Sequence, residues 1–202
     1  QGMMNHDIFP VFCLSAKKNM GSGRLMGFID NVAPSAIEMP AEKTIDDIDV
    51  LCDPAGPPVL FAFKTLVEPH LGKLTFFKVL SGEVTVGMEL QNSTTDTIER
   101  IGQLFIMDGK NRNPIERLKG GDIGSTLKLK NTQTNHTLTA KGKSIQIKPI
   151  EFPLPRIRTA IVSKNKTDDE KLSEVLGEIH MEDPTLIIKF DRETKQMLLL
   201  GQ

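Results

Sequence analysis

The chain has 202 residues, 39% of them hydrophobic and 25% charged, with a net charge of −1. That composition is typical of a water-soluble globular protein, and the length suffices for one or two compact units. No apolar run approaches the ~18 residues a membrane-crossing helix needs, and the start, Gln1-Gly2-Met3-Met4-Asn5-His6-Asp7, lacks the basic and apolar stretches of a secretion signal. The two cysteines, Cys13 and Cys52, argue against a disulfide framework and form no C-x-x-C metal spacing, so a reducing, cytoplasmic setting is expected.

In chain order, the apolar run Ile8 to Cys13 reads as a buried strand, and a polar loop and the turn Gly21-Ser22-Gly23 follow it. Leu25, Met26, Phe28, Ile29 and Val32 recur at helical spacing up to Pro34, which stops the helix. A strand, loop and helix cannot cover both faces of a sheet, so this segment is expected to be the end of a larger α/β unit. The proline-rich, acidic stretch from Pro34 to Pro58 reads as a linker, bounded at 39–56, or as a surface-wrapping loop.

Beyond it, Leu60 to Val67, Lys73 to Leu80, Glu83 to Leu90, Ile98 to Met107 and Ile123 to Leu129 read as short strands punctuated by glycines. Lys73–Leu80 and Glu83–Leu90 are expected to form a hairpin around Ser81-Gly82. Leu74, Phe76, Lys78 and Leu80 fall on one face, and Thr75, Phe77 and Val79 on the other. Strands apolar on both faces suit a small closed antiparallel barrel, over 57–143. A second proline-rich linker spans 144–155.

The last unit, 156–202, reads β-α-β-β. It comprises a strand from Arg156 to Ser163, a helix capped by Thr167 or Asp168 and carrying Leu172, Val175, Leu176 and Ile179 on one face, and a hairpin of Leu186–Phe190 with Gln196–Leu200. That order opens a ferredoxin-like split βαβ, which needs a further helix and strand, so both ends of the chain read as cut.

Charge is segregated along the chain. Asp30 to Asp53 holds seven acidic residues and one base, whereas Lys110 to Asp168 holds thirteen bases and four acids. The second stretch is either a solvated surface or a phosphate-facing flank, because clustered Lys and Arg displace counterions from nucleic acid. With neither Tyr nor Trp present, contacts to the backbone are expected rather than base stacking; Lys110, Arg112, Lys128 and Lys130 are the candidates.

Catalytic patterns are missing from the sequence. No G-x-x-x-x-G-K-[ST] loop cradles phosphates, the histidines 6, 70, 136 and 180 are dispersed, and Ser22 lacks a G-x-S-x-G elbow. Neither catalytic nor metal-ligating residues are therefore assigned. Asn165-Lys166-Thr167-Asp168 matches N-K-x-D literally, but it follows rather than precedes the Ser15-Ala16-Lys17 loop and reads as a polar turn. Ser15-Ala16-Lys17 itself lies between a strand and a helix, where α/β proteins hold ligands.

Together these segments resemble elongation factor G over essentially the whole chain. Pro10 to Asn19 followed by Gly21 is similar to the family's last G-domain strand and guanine loop. Pro57-Pro58 to Lys64, Gly72 to Phe76, Val79 to Gly82, Asn92-Ser93, Glu99 to Gly102 and Gly121 to Ile123 resemble domain II. Lys171-Leu172-Ser173, Glu182 to Thr185 and Glu193-Thr194 resemble domain III. Asn135-His136 stands where Gly-Asp is more usual, and Gln202 where many members have Met.

The resemblance implies a multi-domain, mainly β chain: the end of a GTP-binding domain (1–38), a translation-factor barrel and a partial domain III. It implies a parent GTPase that uses GTP and Mg, drives tRNA–mRNA translocation and binds small-subunit RNA and protein of the ribosome as well as the rest of its own chain. Ser15, Ala16 and Lys17 would face the guanine, but without a phosphate loop neither bound nucleotide nor activity is expected of this segment alone. The alternatives are a ribosomal protection paralogue and a stand-alone protein-interaction barrel.

Overall fold

The computed structural model describes residues 2–3, 7–68, 72–163 and 169–202. His6, His70 and the Asn165–Asp168 turn, with both expected helix caps, lie outside these residues.

The expected strand over Ile8–Cys13 does not form. Residues 8–14 have no ladder partner, and the nearest pairing is a single bridge between Ser15 and Met20. Strand geometry is held by a neighbour that takes up its N–H and C=O groups, and the described residues supply none here. The helix does form, as α1 (Ser22–Val32), because its hydrogen bonds are internal. None of its residues is buried, and Phe28 meets Phe12 at 4.8 Å between ring centroids.

The segment read as the first linker is built rather than loose. Ser35 and Glu38 cap a short 3-10 turn (Ala36–Glu38) reciprocally, with Glu38 Oε2 accepting the Ser35 N–H and hydroxyl, both at 2.8 Å. These bonds hold the Glu38 carboxyl below its ordinary pKa, the backbone N–H contributing most. Two short strands follow, β1 (Glu42–Lys43) paired with β2 (Asp49–Val50). The hairpin then pairs with the second linker, through a bridge between Thr44 and Ile147, Ile45 N to Gln146 O at 2.9 Å and Lys148 N to Lys43 O at 2.8 Å.

The main body comprises β3 (Val59–Glu68), β4 (Gly72–Ser81), β5 (Glu83–Thr85), β6 (Glu89–Asn92), β7 (Thr97–Arg100), β8 (Leu104–Asp108), β9 (Asn111–Ile115), β10 (Arg117–Lys119), β11 (Ile123–Leu127) and β12 (Thr137–Thr139). Eight of them form one sheet in the order β7-β6-β12-β3-β4-β11-β8-β9, and β5 pairs separately with β10. The expected hairpin about Ser81-Gly82 is therefore corrected: β4 pairs with β3 and β11, and β5 turns away to β10. Gly82, at φ 72, allows that departure. A Cβ there would come within 2.6 Å of Pro58 N, and its N–H bonds Asp53 O at 2.8 Å.

The expected closed ring of strands is not completed by pairing, since the edge strands β7 and β9 are not hydrogen-bonded to each other. The sheet nevertheless encloses one apolar core, in which Leu60, Phe77 and Val79 pack with Val84, Leu90, Ile101, Leu104, Leu118, Leu129 and Leu138. On the opposite face Val59, Phe61 and Leu80 pack against Ile147, with Val50, Phe63 and Ile145 alongside. Val50 and the 145–147 stretch come from the supposed linkers, which explains why β4 is apolar on both sides.

The last unit has β13 (Ile157–Ile161), α2 (Asp169–Glu182), β14 (Ile187–Asp191) and β15 (Gln196–Gly201), with sheet order β13-β15-β14, all antiparallel. A split βαβ opening has this order. Asp183 caps the turn after α2 by accepting the Thr185 hydroxyl (2.6 Å) and N–H (3.0 Å), which lowers its pKa. Helix α2 packs on β3, where Glu182 Oε1 accepts the Val67 N–H at 2.7 Å. Among the described residues the structure is mixed α/β, with a dominant β-sheet and two α-helices, neither of which is long and apolar enough to cross a membrane.

Candidate functional site

Ser15, Ala16 and Lys17 lie on a tight turn. Ser15 N–H donates to Met20 O (2.9 Å) and Met20 N–H to Ser15 O (3.0 Å), while Asn19, at φ 50, donates to Ala16 O (3.1 Å). Gly21, at φ 81, then starts α1; a Cβ there would press on the Cys13 carbonyl at 3.2 Å. Ala16 and Lys17 are exposed. A cleft of about 940 Å³ is lined by Ile8, Pro10, Phe28, Val32 and Glu38 and does not include this turn. The turn is thus held by its own backbone and faces solvent, and the chain's sequence offers no phosphate-cradling loop to accompany it.

The four basic candidates fall into two pairs. Lys110 is in the β8–β9 turn and exposed, whereas Arg112, on β9, is half-buried and ion-paired to Glu68 at 2.9 Å. Lys128 and Lys130 flank the buried Leu129 just after β11, and both are exposed. Lys128, at φ 63, donates its N–H to Lys73 O at 3.0 Å. Arg112 and Lys128 are thus fastened to the same end of the β3–β4 hairpin, through Glu68 and Lys73. Arg112 is committed to a carboxylate, which leaves Lys110, Lys128 and Lys130 as the better placed of the four for an outside anion.

Beneath Lys128 and Lys130 lies a polar network that sequence reasoning missed. Glu99 on β7 is buried, and its carboxylate accepts Asn131 N–H (2.6 Å), Lys130 N–H (3.1 Å) and the Thr132 hydroxyl (3.0 Å). Asn92 on β6 is fully buried. Its Oδ1 accepts the N–H groups of Thr94 (3.0 Å) and Thr95 (3.2 Å), and its Nδ2 faces Thr132 Oγ1 and His136 Nδ1, each at 3.1 Å. Gln133 N–H also donates to His136 Nδ1, at 3.3 Å. Next along the chain Asn135, at φ 72, clamps the second linker: its Nδ2 donates to Ile150 O (3.1 Å) and its Oδ1 accepts Ile150 N–H (2.9 Å). Burial shifts the His136 pKa down, opposed by the Asn131 backbone and the Glu99 charge and aided by Lys73. The one clue in the sequence was Glu99, a carboxylate within the expected strand Ile98 to Met107. Among the described residues, no cluster of His, Cys, Asp or Glu could hold a metal ion.

Residues 57–141 match the family Elongation factor G domain 2, and residues 152–202 match Elongation Factor G, domain III. The fold and these matches define two consecutive domains of a translation factor. Over its whole length the chain is homologous to elongation factor G: the elongation factor G of Ureaplasma urealyticum serovar 10 is 34% identical over 205 residues, which is 100% of this chain and 30% of that protein. A crystal structure from Thermus thermophilus has the same fold, with a TM-score of 0.79 at 24% identity over 96% of this chain and 28% of that one. The chain therefore spans less than a third of the length of these relatives.

Proposed function

We propose that this chain is the ribosome-facing segment of an elongation factor G-like translational GTPase that promotes tRNA–mRNA translocation. The observation that carries the reading is the order of the matches, domain 2 followed by domain III, within an alignment to elongation factor G that covers the whole chain. On this reading residues 57–143 are the domain II barrel, with β7 tied to the 130–132 segment by Glu99, and 156–202 begin domain III. Residues 39–56 and 144–155 join the units, and 1–38 end the GTP-binding domain. Ser15, Ala16 and Lys17 would hold the guanine of GTP, while Mg and the phosphates would be held by parts of the parent protein outside this chain. Lys110, Lys128 and Lys130 are the RNA-contact candidates, and Arg112 acts mainly by fixing the β8–β9 hairpin to Glu68.

Binding of the chain to purified small ribosomal subunits tests this. Phosphate contacts release counterions, so log affinity should fall linearly with log salt, by roughly 0.7–0.9 per contact. Charge reversal at Lys128 and Lys130 should lower both the affinity and the salt slope. Binding that ignores salt, or reversal that leaves affinity unchanged, would remove these lysines from the interface.

A further inference from the structure

The hydrogen bonds around His136 settle which of its nitrogens carries a proton. Asn92 Oδ1 is fixed by two backbone N–H donors, so the group Asn92 turns toward the ring is its NH₂. Gln133 N–H, a donor by necessity, is aimed at the same ring nitrogen. Nδ1 is therefore an acceptor from two donors, and the proton of the neutral ring sits on Nε2. An imidazolium has no acceptor nitrogen, so protonation sets N–H against N–H at both contacts. His136 also borders three holding points: its own carbonyl accepts Ala62 N–H (2.9 Å), Asn135 clamps Ile150, and the Asn92–Thr132–Glu99 chain fixes the N–H groups of Lys130 and Asn131.

We propose that neutral His136 is the positioning residue of the 128–136 segment, so that its protonation loosens both the platform bearing Lys128 and Lys130 and the Asn135 clamp on the second linker. The charged groups acting on the ring are Glu99 from β7, which favours the cation, and Lys73 from β4, which opposes it; the Asn131 backbone also bonds the ring. Burial outweighs the groups that favour the cation, so the ring stays neutral until the pH falls below the ordinary histidine value. Only the part concerning Lys128 and Lys130 as RNA contacts rests on the proposed ribosomal function.

The test is a nitrogen-15 NMR titration of the full chain from pH 8 to pH 5, beside His136→Asn, whose Oδ1 can replace Nδ1 as acceptor and does not titrate. At pH 8 the ring should show an unprotonated Nδ1. As pH falls, the amides of Gln133, Asn135 and Ile150 should move with the ring, their protection dropping roughly tenfold for two weakened hydrogen bonds, and the Asn variant should show no such step. A proton on Nδ1 at pH 8, or a ring that titrates while these amides stay still, overturns the proposal. Small-subunit affinity, measured relative to His136→Asn over the same range, reads the remaining part. Loss of affinity with the same midpoint supports it, and salt-dependent binding indifferent to pH removes Lys128 and Lys130 from the platform's role. Absence of any binding refutes the ribosomal reading instead, leaving the NMR result to stand.

Discussion

Residues 8–32 and residues 59–81 are about equally apolar in sequence, yet they end in opposite states. Val11 is 90% exposed and Phe9 76%, whereas Leu60 and Phe77 are fully buried. The second region has partners on every side: β3 and β4 lie side by side, β11 and β12 flank them, and the two supposed linkers cover their outer face. Among the described residues, the first meets its own helix through one aromatic contact, Phe12 on Phe28. Hydrophobic side chains mark where a surface will be buried, but burial itself is supplied by neighbours. The helix survives isolation because its ladder is internal, while the strand beside it does not.

The sharpest way to break this contrast is to cut into the core. Phe77→Ala should cost about 3–5 kcal/mol through lost contacts and a cavity, read as a lowered urea midpoint. Glu99→Ala comes next, at roughly 2–4 kcal/mol, because it strands two backbone N–H groups and a hydroxyl without an acceptor. Glu99→Gln, which keeps one oxygen, should lose less. Gly82→Ala should cost about 1–3 kcal/mol from positive φ and the approach to Pro58, and a neutral result would show that the chain can leave β4 by another route.

Protonation of His136 contributes a smaller effect. Its folded pKa is lowered, so the unfolded chain binds the extra proton first, and the stabilisation is present above the ordinary value of ~6.5 and lost as pH falls through the folded value. A thermal midpoint that drops in this window in wild type but not in His136→Asn is the expected outcome. At the other extreme, Phe9→Ala and Val11→Ala should move stability by no more than about 0.5 kcal/mol, as for exposed sites generally. A larger loss would mean that residues 8–14 are covered in solution.

Much of the architecture was legible from local pattern. Helix α1, the strands β3, β4 and β11, and the β-α-β-β order of the last unit were placed to within a few residues, because apolar periodicity, prolines and glycines act over short stretches of chain. Strand pairing was harder to read. The turn at Ser81-Gly82 looked like a hairpin, and only the packing of Gly82 on Pro57-Pro58 sends β5 to β10. The part the linkers play in the core was hidden for the same reason, since Val50 and Ile147 gain their meaning from Leu80 across the sheet.

The candidate site divides in the same way. Lys110, Lys128 and Lys130 could be named from charge, and Ser15-Ala16-Lys17 from its position between a strand and a helix. The commitment of Arg112 to Glu68, and the network of Asn92, Glu99, Thr132 and His136, could not be, because these residues are up to 44 positions apart in the chain. By itself the sequence determined the helices, many of the extended segments and where positive charge gathers, since backbone sterics and side-chain periodicity are properties of neighbouring residues. Tertiary structure alone decided which strands pair, which apolar runs are covered and which polar groups meet, because those energies exist only after distant parts of the chain have been brought together.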